Sequence, residues 1–492
     1  MNNSTRVMMR VLIPALVLVF AAGTLRAQDP VEAAPNKCKV LIENEDSIVQ
    51  AHLSQDSPFV DDDSDKTFVV RPSGIDDTDA LNAAFEGGVA AGPGSTVRLL
   101  AGTYRVTRPI LIRSFQGCWR GAGVGKTVII VGGVGGAPFP VGDFSPDPGF
   151  PNDPPWKKSS VFFFTQRVGG APTDLHLSGI SFRVTGTSEL WQQPGFPVTW
   201  NSIANLITLS EPRPGVATPV GGQARVDVSD VEVTGEIIAG LPFFPVIENL
   251  FDFINAQKTV SLNEKPFAVK LQVARSSFLL VDRVVLLIGL VDSQATIRNN
   301  VARRGSNAFN FIDLQRSSVV LSENDVQTQV FMFIQQVDPP LEPSSFQVDH
   351  NKIQTGFLTD FWPSDAIFVD DFGEEAFGQK SSNIKIEHNE FQQDTQPLFG
   401  LPTMDLDILI EGVDSDGLIV RHNEISGSFK QSAILLGADP TTVNKNALIQ
   451  GNNLEDVKAG VAPIWLGPGS SNNRVLNNHV TVLDQGTGNL IR

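Results

Sequence analysis

Apolar and polar positions alternate along the second half of this chain in one recurring hexad, apolar-x-x-Asn-x-apolar. It runs Ile297 to Ala302 around Asn300, Leu321 to Val326 around Asn324, and Val348 to Ile353 around Asn351. It continues at Ile386 to Phe391 around Asn389, Val420 to Ile425 around Asn423, Ile449 to Leu454 around Asn452, and Val475 to Val480 around Asn478. The asparagines are 24, 27, 38, 34, 29 and 26 positions apart. A floor of two dozen residues with variable excess describes one structural unit carrying loops of different length, as in a solenoid. The spacing is not helical; each block reads as strand, bend, strand. Asn tolerates the left-handed backbone of a sharp bend, and its amide both donates and accepts, so equivalent Asn side chains on stacked coils can bond one another.

A further strand per coil follows from the apolar runs Ala308 to Asp313, Val330 to Gln335, Ala366 to Asp370, Leu406 to Glu411, Ala433 to Gly437 and Pro463 to Gly467. The sequence therefore predicts an all-β, single-stranded parallel β-helix with three short strands per coil. Ten to twelve coils at roughly 4.8 Å would give a rod about 50–60 Å long. In the first half the blocks at Leu177 to Phe182, Val228 to Val233 and Val273 to Phe278 lack the Asn. Their wide spacing fits either two coils per interval or one coil with a large insert.

The entry to the repeat carries a resemblance. Asp76-Asp77-Thr78-Asp79 opens an Ala-rich amphipathic run to Phe85, which predicts a capped helix. After it come Ser95 to Val106, Pro109 to Ile112 and Arg120 to Ile129. This order resembles the pectate-lyase-like superfamily of right-handed parallel β-helices over residues 67–492. The resemblance implies that the helix caps the rod and covers its unpaired strand edges. It leaves activity open, because the superfamily holds lyases, hydrolases, epimerases, tailspikes and non-enzymes.

Residues 1–27 read as a signal peptide, with basic Arg6 and Arg10, an apolar core Val11 to Ala22, and the cleavage-type end Leu25-Arg26-Ala27. Residues 28–66 form an N-terminal arm. The expected location is outside the cell, in the periplasm or on the cell surface, with no transmembrane segment in the mature chain. Export gives Cys38 and Cys118 two readings: a disulfide pinning the arm to the first coils, worth about 4 kcal/mol for a loop of that size, or two buried thiols. The chain has 37 basic and 54 acidic residues. Removing the three signal arginines leaves 34 − 54 = −20, which argues against nucleic acid and anionic membranes as partners.

Candidate chemistry is read by aligning the strand ends. Asp313, Gln335, Asp370, Glu411, Gly437 and Gly467 would share one column, with Asp371 beside it. Adjacent carboxylates push one pKa up, so a general acid and a base or nucleophile can coexist at neutral pH. Asp313, Asp370, Asp371 and Glu411 are the candidate catalytic residues, and strand-end capping is the plainer role for them. Val369-Asp370-Asp371 resembles the paired aspartates of polygalacturonase-type hydrolases, although that group's Gly-His-Gly and Arg-Ile-Lys partners are missing. Phe361, Trp362 and Arg316 are candidate sugar contacts.

No cofactor is required by this reading, with calcium as an option at the acidic column or at Asp61-Asp62-Asp63-Ser64-Asp65. His350, His388 and His422 each precede a repeat Asn, which suits either a metal column or a solvated turn. Gly121 to Thr127 imitates a phosphate loop, but Arg120 occupies the required first Gly and a strand follows, so a turn is expected. Tyr104, the single Tyr, is expected to pack rather than to act as a base. The functional expectation is an exported protein that binds, and in one version cleaves, a polysaccharide by hydrolysis or elimination. The alternative is a non-catalytic surface or adhesion rod.

Overall fold

The computed structural model describes residues 59–61, 66–141, 160–167, 170–192, 199–210, 222–241, 244–257, 267–336, 342–356, 365–370, 382–393 and 406–492. The described residues are built almost wholly of β-strands in parallel sheets, with one long helix among them, α1 (Thr78–Ala91). Each repeat contributes one strand to a 15-stranded sheet and its next strands to a 22-stranded sheet. The first pair of the 15-stranded sheet, Phe59–Asp61 with Thr67–Val70, is antiparallel. The fourteen strands from Thr67–Val70 onward run parallel, which exceeds the ten to twelve expected. The wide early intervals resolve as single repeats with large inserts, since Leu177 pairs directly with Val228 and Val228 with Val273.

Hydrophobic alternation sets the inward face. Val273, Ile297, Leu321, Val348, Ile386, Val420, Ile449 and Val475 are consecutive partners up one sheet, and all are buried. Parallel pairing puts like residues in register, so a side chain one repeat away is the nearest packing neighbour. At the N-terminal end α1 lays Leu81, Ala84 and Phe85 over this core. Phe85 makes edge-on contacts with Phe115 and Trp119 at 5.3 and 5.2 Å between ring centroids. The acidic helix start acts one residue earlier than a simple cap: Asp76 accepts from the Thr78 backbone N–H and hydroxyl, while buried Asp77 accepts from the Ser73 and Arg105 N–H groups. Tyr104 is buried and donates its hydroxyl to the Val70 carbonyl, as a packing residue. The glycines from Gly121 to Gly125 form a turn leading into the strand Thr127–Val131.

The corner asparagines join into a continuous ladder. Asn300 donates to Asn324 Oδ1, Asn324 to Asn351, Asn351 to Asn389, Asn389 to Asn423, Asn423 to Asn452 and Asn452 to Asn478, at 2.9–3.0 Å. Each Oδ1 also accepts the backbone N–H of the preceding asparagine, and each Nδ2 reaches a carbonyl on the facing strand, as Asn389 does to Val348. The left-handed residue of the bend is not the Asn, as expected, but the one before it: Asn299, Glu323, His350, His388 and His422 have φ near +55°. The Asn is therefore free to spend its amide on the ladder. Ser276 continues the ladder backward, its N–H donating to Asn300 and its hydroxyl accepting from Val231. The sequence reading missed a second corner ladder, in which the N–H of Ser293 donates to Ser317 and that of Ser317 to Ser344.

The histidines stack as the alignment required, with ring centroids 5.2 and 5.3 Å apart. They occupy turn positions, and His350 is exposed. Cys118 is disulfide-bonded; its expected partner Cys38, the chain's other cysteine, lies outside the described residues. The register partner of Cys118 is His176. His176 sits between Asp174 at 3.3 Å and Asp227 at 3.0 Å. Bonding to Asp174 and then Asp227 outweighs burial and lifts its pKa to about 9.

Replacing Asn389 by Ala strands the Asn351 N–H and the Val348 carbonyl in a dry corner. This substitution should cost about 2–4 kcal/mol, read as a lower denaturation midpoint in guanidinium. Asn478→Ala, at the ladder's last rung, should cost less. For His176 the native chain holds a proton between pH 6.5 and about 9 that the unfolded chain releases. Its stabilisation is complete below pH 6.5 and disappears as pH rises through 9. His176→Gln should flatten that segment of a melting-temperature profile against pH.

Candidate functional site

The site is built by the pleat of the larger sheet. Ile254, Val285, Phe309, Met332, Ile367, Ile410 and Ile434 are successive partners and face the core. Their neighbours in sequence therefore face the opposite side. That outer column reads Asn255, Leu286, Asn310, Phe333, Phe368, Glu411 and Leu435. Phe333 and Phe368 stack face to face, centroids 5.2 Å apart and planes 8° apart, and both keep partial exposure. Glu411, on the next strand, is buried.

The structure redraws the predicted acidic column. Its members are Ile312, Gln335, Asp370 and Asp414. Glu411 is the partner of Phe368, so it lies diagonally from Asp370 on the adjacent strand, with Cα atoms roughly 8 Å apart from strand spacing and rise. The cause is a register shift at Val369/Asp370, where the long strand Leu406–Asp416 carries an extra residue and brings Asp414 opposite Asp370. Bulges leave no mark in a pattern of apolar runs, so Asp414 was missed. Asp370 and Asp414 are both buried, and Asp414 accepts the Val443 N–H at 2.6 Å.

Asp313 falls out of the column as well. It sits one residue past Ile312 in a left-handed corner, φ 51°, donating its N–H to the Gln335 carbonyl. Arg316, a proposed sugar contact, is instead paired through Nε and Nη2 with Asp292 at 2.7 and 2.6 Å in a turn. Asp371, Phe361 and Trp362 lie outside the described residues, as do Asp62, Asp63 and Asp65 of the acidic run. Among the described residues, no three His, Cys, Asp or Glu side chains converge as a cation site.

A second polar group occupies the same outer face nearer the N-terminus. Ser160, Asn205, Asp252 and Arg283 are register partners on successive strands. Arg283 Nε reaches Asp252 Oδ1 at 2.5 Å, and its guanidinium lies 5.7 Å from the Phe251 ring centroid. Asn255 donates to Asp252 Oδ2 at 2.7 Å. Next to them Glu248 accepts from the Ser306 hydroxyl at 2.9 Å, and Asp282 accepts from the Asn307 amide at 3.1 Å. Burial raises the Asp252 pKa to about 6 against the opposing pull of Arg283. Burial and then the charge of Asp282 push Glu248 well above the carboxylate range. No motif marks this group in the sequence, because its members come from separate strands and corners.

No protein-family model matches the chain, and no curated protein matches it. Solved structures do resemble it. The DFA-IIIase from Arthrobacter chlorophenolicus A6 without its lid, in complex with GF2, aligns with a TM-score of 0.57 at 14% identity, covering 87% of this chain and 99% of that one. The A-module of mannuronan C-5 epimerase AlgE6 from Azotobacter vinelandii aligns at 15% identity with a TM-score of 0.42, covering 85% and 96%. The first of these establishes a likeness of fold. Among the described residues no helix is long and apolar enough to cross a membrane.

Asp252 holds its proton to about pH 6 in the folded chain, against 3.8 unfolded. The native state thus binds more protons across that interval, and this group's contribution to stability falls as pH rises from about 4 to 6. Asp252→Asn should remove that fall from a pH series of melting temperatures, whatever it does to stability at a single pH.

Proposed function

We propose that this chain is an exported right-handed parallel β-helix of the pectate-lyase-like kind that binds a glycan along the outer column and cleaves it beside Glu411. The observation that carries the reading is the neighbourhood of Glu411: a stacked aromatic pair, Phe333 and Phe368, leads in register to Glu411, with the register partners Asp370 and Asp414 on the same two strands. Partly exposed aromatic rings suit apolar contact with a sugar ring. Neighbouring carboxylates can divide the work of glycosidic cleavage. One gives its proton to the leaving oxygen, while the other attacks the anomeric carbon or takes a proton from the water that does. Asp371 follows Asp370 directly in sequence and is kept as a further candidate.

Support also comes from the solved structure of similar fold, a DFA-IIIase in complex with GF2. The acidic balance of the chain, −17 overall, agrees with an uncharged ligand better than with nucleic acid. Export is the expectation carried by the signal-like segment at residues 1–27.

The test is the appearance of new sugar ends from polysaccharides incubated with the protein. Glu411→Gln and Asp370→Asn should each lower turnover by about 10²–10⁴-fold while leaving the melting temperature near that of the wild type. New reducing ends would identify hydrolysis and unsaturated ends elimination. Binding without either product would make the chain a glycan-binding rod.

A further inference from the structure

Along the outer column, two buried amides carry an oxygen with no hydrogen-bond partner. Asn310 is 8% exposed, and its Oδ1 has no hydrogen-bond partner. It stands between Leu286 and Phe333 in register, while Phe309 and Phe311 on either side of it are core. Two strands earlier in the same column, Asn255 donates to Asp252, yet its own Oδ1 accepts nothing. A buried acceptor without a donor costs about 1–3 kcal/mol. Both acceptors lie on the face that also carries the Phe333–Phe368 stack and Glu411.

We infer that this column is a row of subsites for a neutral, hydroxyl-rich oligosaccharide and that it discriminates against polyuronates. The inference rests on the reading of the outer column as the glycan face and adds the chemical class of its ligand. A sugar hydroxyl is a donor, the group Asn310 Oδ1 lacks, and the same hydroxyl can accept from an amide. The ring bearing it would lie against Phe333, the next residue of the column. Asn310 is three strands from Glu411, roughly 14 Å along the stack, so it would hold a sugar unit remote from the bond under attack and fix the chain's register.

Charge decides between neutral and acidic glycans. Asp252, Asp370, Glu411 and Asp414 border this row, and the nearby cation Arg283 is already engaged by Asp252. A uronate carboxylate would bring an acceptor to Asn310 Oδ1, which is itself an acceptor. It would also bring a like charge into a face that holds its acids partly out of water, where repulsion is strong.

The experiment is calorimetric titration of the full chain with soluble dextran, fructan and xylan oligosaccharides as neutral probes, and with oligogalacturonate and oligomannuronate as acidic ones. The expected result is saturable binding of at least one neutral probe and none of the acidic probes. Asn310→Leu removes the unpaired amide, so its melting temperature should hold or rise, while affinity for the neutral probe falls about tenfold. Asn310→Ser is the smaller change that covers a folding failure of the Leu variant, and it should retain part of the affinity. Preferential binding of an acidic probe, or unchanged neutral affinity in both variants, would overturn the inference. If neutral probes bind regardless of Asn310 while Glu411→Gln still abolishes cleavage, only this inference fails. If no probe binds and no bond is cut, the glycan reading fails with it.

Discussion

Every rung of this molecule depends on how a tight corner satisfies its backbone. A chain that turns sharply and then pairs in parallel leaves N–H groups and carbonyls facing the interior, where no solvent reaches them. The asparagine amide answers both needs at once. Asn351 Oδ1 takes the N–H of Asn324, and Asn351 Nδ2 gives one proton to Asn389 and another to the Leu321 carbonyl. Serine hydroxyls perform a reduced version at Ser293, Ser317 and Ser344, accepting an N–H from the preceding rung. The apolar interior between corners can then be ordinary, because polar accounting is completed at the edges.

This explains what was legible in the sequence. The hexad around each Asn was visible because a buried ladder tolerates one residue type, and it fixed rung order and register from Asn300 to Asn478. The cap helix was visible through its acidic opening and its Ala-rich face. The count of rungs was underestimated at the two ends of the stack, where Thr67–Val70, Ser95–Leu99, Gln116–Arg120 and Leu490–Ile491 carry no Asn hexad. The placement of the site failed by a few residues for a local reason. Strand ends were aligned by their apolar runs, and one bulge beside Asp370 exchanged Glu411 for Asp414 as its partner. Asp313 was aligned with the strand ends, but Ile312 takes that register position and Asp313 and Arg316 stand in the corners beyond it. Both have left-handed φ values that belong to corners. The stacked Phe333–Phe368 pair was overlooked because each Phe sits inside an apolar run, where sequence alone cannot tell inward from outward.

The outer column shows how a pleated surface gains chemical variety without disturbing the core. Its inward partners are nearly uniform, from Ile254 through Val285, Met332 and Ile367 to Ile434, whereas the outward set passes from amide to aliphatic to aromatic to carboxylate. Changing an outward side chain alters one contact with each neighbouring strand. The inward face keeps the fold, and the outward face can vary in chemistry without disturbing it.

The spacing between ladder asparagines varies from 24 to 38 residues, yet the amide bonds between them stay at 2.9–3.0 Å. Added chain length is absorbed outside the stack and never transmitted along it. Segments between rungs can therefore differ in length without changing the rungs they connect.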